Sequence, residues 1–216
     1  MNKFHQANAW IFNQNVKCAH KQALPFEFTK EEFMSLTDLP CVYCGEEPFN
    51  FRRSMIDRLI PEKGYTKKNT VPACGECVRA KGSCDAKTFI ARCMHISFVN
   101  GGPGMLTESW SNVKFKPYEQ YKSETDKQFD LTSDEYYALR NGKCVYCDRP
   151  STDVHCNGID RIDNNVGYIK ENCVTCCHDC NMMKLISTSQ DFIDRTIKVA
   201  THAESVISRH TKSRPA

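Results

Sequence analysis

Cys144-Val-Tyr-Cys147 and Cys177-His-Asp-Cys180, with 29 residues between them, specify the architecture of this 216-residue chain. Each is a Cys-x2-Cys turn (a knuckle), and two knuckles supply the four thiolates that a tetrahedral zinc ion requires. The same spacing occurs 103 residues earlier without a gap, so we predict two tandem zinc-binding repeats. The earlier set is Cys41, Cys44, Cys74 and Cys77.

The similarity between the two repeats extends beyond the cysteines. A Thr-x2-Glu pair before each first knuckle is a capping box that opens a helix, and an Ile-Asp-Arg stretch followed by Gly-Tyr separates the knuckles. We therefore predict, in each repeat, a capped helix, a knuckle, a β-hairpin that turns near the glycine, and a second knuckle that begins another helix. The matched pieces are Thr29 and Glu32 with Thr132 and Glu135, Ile56–Arg58 with Ile159–Arg161, and Gly64 and Tyr65 with Gly167 and Tyr168.

These elements predict an α+β protein made of two zinc-stapled units with flanking helices. The segment Asn100–Gly104 contains three glycines and a proline, which interrupt regular structure. We therefore place the first repeat at residues 1–100 and the second at residues 101–216. An amphipathic helix from about Ser189 to Ile207 is expected near the end of the second repeat.

Aromatic residues alternate with lysines after this boundary. The pattern is typical of a nucleic-acid-binding surface, but also of an amphipathic segment that packs its aromatic side onto its own repeat. We expect the packing role and keep the nucleic-acid surface as the alternative. The residues are Trp110, Phe115, Tyr118 and Tyr121, with Lys114, Lys116 and Lys122.

Composition and cysteine spacing indicate the compartment and the partners of the protein. Fourteen cysteines are compatible with disulfides in a secreted protein, but the knuckle spacing suits metal and no apolar leader follows Met1. We expect a reducing, intracellular compartment (cytoplasm, nucleus or viral particle) rather than secretion. No run approaches the roughly 18 apolar residues of a membrane span, so no membrane partner is expected. The net charge of +3 is compatible with nucleic acid.

Four thiolates leave zinc no open position, so both zinc ions are predicted to be structural. The second repeat offers a competing turn, Cys173-x2-Cys176, but the ungapped repeat selects Cys177 and Cys180. We expect the spare cysteines to be small buried residues, with a third metal site as the alternative. They are Cys18, Cys84, Cys93, Cys156, Cys173 and Cys176.

Between the knuckles of the second repeat lies Gly158-Ile-Asp-Arg-Ile-Asp-Asn-Asn-Val-Gly-Tyr168, and the last knuckle continues into Asn181-Met-Met-Lys184. Together these resemble the HNH (ββα-metal) endonucleases, most closely phage and large-virus members with Asp-Arg-Ile-Asp, Gly-Tyr, Asn-Val and Asn-x-Met-Lys motifs. The third motif is one residue longer here, Asn172-Cys173-Val174. The resemblance covers about Thr132 to Ile193. It implies treble-clef-like ββα-metal units, phosphodiester cleavage, and DNA rather than RNA as the partner.

The resemblance also implies an active site. Asp160 on the hairpin and Asn181 on the following helix would hold one catalytic Mg²⁺ or Mn²⁺ at the scissile phosphate. Family members carry a histidine directly after the aspartate as general base. Here that position is Arg161, which cannot act as a base and would grip a phosphate or pair with a local carboxylate.

Three nearby residues leave alternatives open. His155 is the candidate substitute base and His178 a second candidate, but for each we expect a surface or hydrogen-bonded structural role ahead of a catalytic one. Asp163 is either a second carboxylate or a turn residue.

The first repeat is predicted to be a degenerate copy of the second. Val78 replaces the asparagine after Cys77, and no histidine lies between Cys41 and Cys77, so we predict no nuclease activity there. Its basic residues either bind the phosphates of a nucleic-acid backbone or form a solvent-exposed basic face. They are Arg52, Arg53, Arg58, Lys63, Lys67, Lys68, Arg79 and Lys81.

Three functions follow as hypotheses. The expected one is a DNA-binding, metal-dependent endonuclease whose second repeat cleaves. The alternative is a catalytically inactive, nuclease-derived zinc module that binds nucleic acid or protein as a regulatory or structural component. A purely structural scaffold for protein interactions would bind no nucleic acid at all.

Overall fold

A computed structural model describes residues 3–48 and 54–212, with side chains described for 10–48 and 54–203. Within these residues the protein is a mixed α+β structure, as predicted, with two small antiparallel sheets. The helices are α1 Lys3–Lys21, α2 Lys30–Thr37, α3 Gly75–Lys81, α4 Ala86–Val99, α5 Tyr118–Glu124, α6 Ser133–Asn141, α7 His178–Lys184 and α8 Ser189–Lys212. The strands are β1 Met55–Arg58, β2 Thr70–Ala73, β3 Gly158–Arg161 and β4 Cys173–Cys176.

The chain divides into two compact units. Unit 1 is Met1–Ile90 with Thr201–Ala216, and unit 2 is Ala91–Ala200, so the division falls within α4 and α8. None of the described helices combines the length and apolar character needed to cross a membrane.

The glycine-rich segment proposed as the boundary lies within unit 2 and terminates α4. The Gly102 amide donates to the Ser97 carbonyl at 2.8 Å, which closes a turn against the end of the helix. Gly104 has φ +138°, and a Cβ there would lie 2.1 Å from the Met94 carbonyl oxygen. Only glycine fits at this position, because the backbone conformation and the close approach both exclude a side chain.

Helices α2 and α6 begin at the predicted capping boxes. The Glu32 amide donates to Thr29 Oγ1 at 3.2 Å, and the Thr29 amide donates to Glu32 Oε2 at 3.0 Å. Thr132 and Glu135 repeat both bonds at α6. These bonds satisfy amides that the first helical turn leaves without partners.

Each hairpin is closed by a buried asparagine. In unit 2, the Asn172 side-chain amide donates to the carbonyls of Asp163 and Gly167 at 3.0 Å, and its oxygen accepts from the Asp163 amide at 2.8 Å. In unit 1, Asn69 makes the matching bonds to Ile60 and Gly64. The Asn residues shared by the two repeats therefore fix the hairpin loops.

A small aromatic core supports each hairpin from the side of the preceding helix. In unit 1, Phe33 of α2 packs with Ile56 of β1. In unit 2, Tyr136 of α6 packs with Ile159 of β3, and Tyr118 and Tyr121 of the aromatic segment cover them. This confirms the packing role for those two tyrosines.

Phe115 departs from the expected packing onto its own repeat, because it is 51% exposed.

Two spare cysteines also differ from prediction, since Cys18 is exposed and Cys84 is half-buried. Cys18 lies one residue before Ala19, which is a core residue of α1, and one helical step turns a side chain by about 100°. The other four spare cysteines are buried as predicted: Cys93, Cys156, Cys173 and Cys176.

Candidate metal centres and the buried hairpin carboxylates

The predicted cysteines form two four-sulfur clusters, each with all its sulfur atoms within 4.8 Å of one another. Zn–S bonds of about 2.3 Å in a tetrahedron place sulfur atoms about 3.8 Å apart. Cys44 and Cys74 Sγ lie 3.8 Å apart, and Cys147 and Cys177 Sγ lie 3.7 Å apart. None of the fourteen cysteines forms a disulfide. Both clusters therefore fit a structural zinc ion, and the repeat selected Cys177 and Cys180 correctly.

Each second knuckle presents its sulfur atoms to the start of a helix. The Cys77 amide donates to Cys74 Sγ, and the Cys180 amide donates to Cys177 Sγ, both at 3.4 Å. Amide donors and the positive end of the helix stabilise thiolates. Hydrogen bonds among the sulfur atoms lower the pKa of Cys144 and raise that of Cys147, because the two thiols share protons. The amide donors are therefore what favours thiolates at each second knuckle.

The two clusters differ in burial. In unit 2 all four cysteines are buried, whereas in unit 1 Cys44 and Cys74 are only half-buried. Solvent and competing ligands therefore reach the sulfur atoms of unit 1 more easily.

A strap, defined as residues Thr107–Val113, is fixed beside the cluster of unit 2. Asp179, within the second knuckle, accepts from the Ser111 amide at 2.6 Å and from its hydroxyl at 2.9 Å. Arg92 pairs with Asp179 at 3.0 Å, and its Nε donates to the Ser109 carbonyl at 2.7 Å.

His95 ties the strap to the first knuckle of unit 2. Its Nδ1 accepts from the Thr107 amide at 3.0 Å, so its Nε2 donates to the Cys147 carbonyl at 2.9 Å. Sequence reasoning missed His95, Arg92 and Asp179, because their partners lie many residues away and no local pattern marks them.

The hairpin aspartate, predicted to bind a catalytic metal, lies inside the fold. Asp160 is 2% exposed. Tyr146, from the first knuckle, donates to Asp160 Oδ2 at 2.7 Å, and Lys184 Nζ lies 3.2 Å from the same oxygen and 3.3 Å from Oδ1. Lys184 also donates to the Arg161 carbonyl at 3.2 Å. Both carboxylate oxygens are therefore engaged by side chains of the protein.

Unit 1 contains the same arrangement. Tyr43 donates to Asp57 Oδ2 at 2.6 Å, and Lys81 Nζ lies 3.2 Å from that oxygen. Burial raises the pKa of Tyr43 and of Tyr146, which keeps both hydroxyls as donors. This Tyr–Asp–Lys network joins the first knuckle, the hairpin and the helix after the second knuckle in each unit.

The other predicted catalytic residues lie in different surroundings. His155 is 2% exposed, with Nδ1 accepting from the Val113 amide at 3.2 Å and Nε2 paired with Asn157 Oδ1 at 3.0 Å. Burial lowers the pKa of His155, so the ring is held neutral. Asn181 is half-buried on α7, and His178 is exposed at the start of that helix.

Arg161 and Asp163 stabilise the hairpin loop. Arg161 Nη1 donates to the carbonyls of Asn164 at 2.9 Å and Val166 at 3.0 Å, and its guanidinium lies 5.3 Å from the Tyr168 ring centre. Asp163 Oδ1 accepts from the Asn165 amide at 2.8 Å, which is a turn contact. In this structure, Asp160 and His155 direct their polar atoms at protein partners rather than at solvent.

Neither a family model nor a solved structure matches this chain. A relative is found in Acanthamoeba polyphaga mimivirus, described as an uncharacterized protein, R423, with 36% identity over 171 residues. The match covers 77% of this chain and 32% of the relative, so the chain spans about a third of that protein's length. The chain is thus similar to a viral protein.

Proposed function

We propose that this protein is a zinc-stapled module that binds nucleic acid without cleaving it, with DNA as the expected partner. The observation that carries the proposal is the Tyr–Asp–Lys network found in both units. A metal-binding aspartate needs free carboxylate oxygens, whereas Asp160 has a lysine and a tyrosine on its oxygens. Unit 1 keeps the same network where Val78 stands in place of Asn181, which favours a structural role for the aspartate.

The charge distribution supports a role for unit 1 in binding phosphates. Unit 1 has sixteen lysines and arginines against eleven acidic residues, whereas unit 2 has thirteen against fifteen. A zinc ion with four thiolates adds two negative charges to each unit, which leaves unit 1 at +3 and unit 2 at −4. Phosphates would therefore be attracted to unit 1.

Particular side chains in unit 1 make this surface basic. Lys63 and Lys68 are exposed around the hairpin loop, and Arg79 is exposed on α3. The corresponding residues of unit 2, 103 positions later, are Val166, Glu171 and Met182. Lys67 is not counted, because it pairs with Glu32. Arg52 and Arg53 lie outside the described residues.

Nucleic-acid binding tests this surface directly. The triple variant Lys63→Glu, Lys68→Glu, Arg79→Glu should weaken binding and lower the salt slope by roughly 2 to 3, as expected for the loss of three phosphate contacts. The control reverses three exposed lysines of unit 2, Lys122, Lys127 and Lys143, of which the last two pair with Asp126 and Asp148. Equal losses in both triples would contradict a localised surface, and no binding by the parent protein would select the protein-interaction scaffold.

A cleavage assay tests the endonuclease hypothesis in the same preparation. Supercoiled, single-stranded and branched DNA would be incubated with Mg²⁺ or Mn²⁺, and we expect no cleavage. Asp57→Ala serves as control for Asp160→Ala, because both remove the same network. If the Asp160→Ala variant loses cleavage while the Asp57→Ala variant keeps it, and both variants are folded, the endonuclease hypothesis is supported.

We expect the module to act where thiols stay reduced, inside a cell.

A further inference from the structure

Two aromatic rings on the surface of unit 2 lie against each other. Phe115, on the segment before α5, is 51% exposed, and Tyr137, on α6, is 37% exposed. Their centres lie 6.0 Å apart and their planes differ by 17°, so they stack nearly parallel. Exposed flat faces of this kind are suited to a ligand that is itself flat.

A buried cation lies next to this pair. Arg140 is 3% exposed, and its guanidinium carbon lies 5.7 Å from the Phe115 ring centre and 5.5 Å from that of Tyr136. Its Nε and Nη2 atoms have no hydrogen-bond partner among the described residues. Arginine stays charged, and contact with ring faces offsets only part of the cost of burying it. The N–H groups of these two nitrogen atoms therefore lack an acceptor, which a ligand would supply.

We propose that Phe115, Tyr137 and Arg140 form a stacking site for an unpaired base of single-stranded nucleic acid. The proposal deepens the proposed function and rests on it. The base would stack on the exposed rings, and Lys114, exposed beside Phe115, would meet the adjoining phosphate. Phe115 lies outside any helix or strand, and a turn of its side chain on binding would let the Arg140 nitrogen atoms reach a carbonyl or phosphate oxygen of the ligand.

The chemistry favours a single strand over a duplex. Bases in a duplex are already stacked on their neighbours, so only an unpaired base presents a free face to the rings. Unit 1 has Met34 and Thr37 where unit 2 has Tyr137 and Arg140, so this site belongs to the second repeat. Unit 1 would then contact phosphates while unit 2 receives a base.

Binding would be measured by fluorescence anisotropy on the full chain, using labelled mixed-sequence DNA of about 12 nucleotides and its duplex. Phe115→Ala and Tyr137→Ala should each weaken single-strand binding by roughly 5- to 150-fold, with little effect on the duplex. Val154→Ala is the control, because Val154 is 68% exposed in the same unit and lies outside the site. Phe115→Trp should retain binding, and the fluorescence that it adds to that of Trp10 and Trp110 should be quenched by the bound base.

The outcomes separate this inference from the proposed function. Single-strand binding that survives both alanine substitutions, or equal losses for single strand and duplex, would overturn the stacking site alone. A parent protein that binds neither DNA would overturn the proposed function as well. Thermal unfolding of each variant checks that it folds. If an alanine variant unfolds, the Phe115→Trp signal decides, since an unquenched tryptophan in a bound complex contradicts stacking.

Discussion

Unit 1 and unit 2 have similar interiors and different surfaces. Both contain two knuckles, a hairpin of two four-residue strands and a buried Tyr–Asp–Lys network. On this scaffold unit 1 exposes Lys63 and Arg79, whereas unit 2 exposes Phe115 and Tyr137. The hairpin aspartates, which the sequence most readily suggests as catalytic, therefore belong to the interior architecture that the two units have in common. The features that can distinguish the two units lie on the surface.

Zinc removal should have the largest effect and should distinguish the two clusters. A chelator is expected to extract zinc in two phases, with unit 1 first, because Cys44 and Cys74 are half-buried while the cysteines of unit 2 are buried. Loss of a structural zinc removes up to about 10 kcal/mol, so each phase should be accompanied by unfolding of one unit. Zinc release and circular dichroism would be followed together.

Variants assign the two phases. Cys44→Ser should abolish the fast phase and leave one zinc per chain. Cys176→Ala, which removes a buried sulfur outside the cluster, should keep both zinc ions. A single phase for both ions in the parent protein would show that burial does not govern zinc release here.

The buried ion pairs provide a second test. Lys184→Met leaves Asp160 as an unpaired buried carboxylate, and we expect a loss of about 3 to 5 kcal/mol in the free energy of unfolding. Lys81→Met should cost less, because the Asp57 side chain is 10% exposed and that of Asp160 is 2% exposed. Denaturant titration of zinc-loaded protein measures both. The double variant Asp160→Asn, Lys184→Met should recover part of the loss, and strict additivity would argue against a direct pair.

The smallest predicted effect is a pH dependence specific to unit 2. Burial lowers the pKa of His155 from its ordinary 6.5, so the unfolded chain binds a proton at a higher pH than the folded chain does. The neutral, buried His155 therefore contributes to the free energy of unfolding. This contribution is complete above pH 6.5 and is lost as the pH falls toward the pKa of His155 in the folded protein.

The measurement compares the urea midpoint of the parent protein with that of His155→Gln between about pH 7.5 and pH 5.5. The parent protein should lose stability more steeply on acidification than the variant. Because both proteins have the same cysteines, acid-induced zinc loss cancels in the comparison. Identical slopes would show that His155 can be protonated without cost in the folded state.

Much of the fold could be predicted because its determinants are local. The Thr132 capping box lies within four residues, and the knuckles are defined by a three-residue step. The ungapped repeat then resolved the choice between Cys173 with Cys176 and Cys177 with Cys180. The predicted α8 began at Ser189 as expected but extends to Lys212, since the amphipathic pattern marks the start of a helix better than its end.

Local sequence patterns are sufficient to predict the capped helices and the hairpins, because these depend on contacts between near neighbours. The zinc clusters could also be predicted, although their cysteines lie 30 positions apart, because the repeated Cys-x2-Cys spacing marks both halves of each ligand set. The partner of each polar side chain, by contrast, depends on the tertiary fold. Asp160 meets Lys184 from 24 positions away, and Arg140 lies among rings contributed by separate segments. Such pairings depend on how packed elements approach one another, and burial fixes them because a charge withdrawn from water must find its partner within the fold.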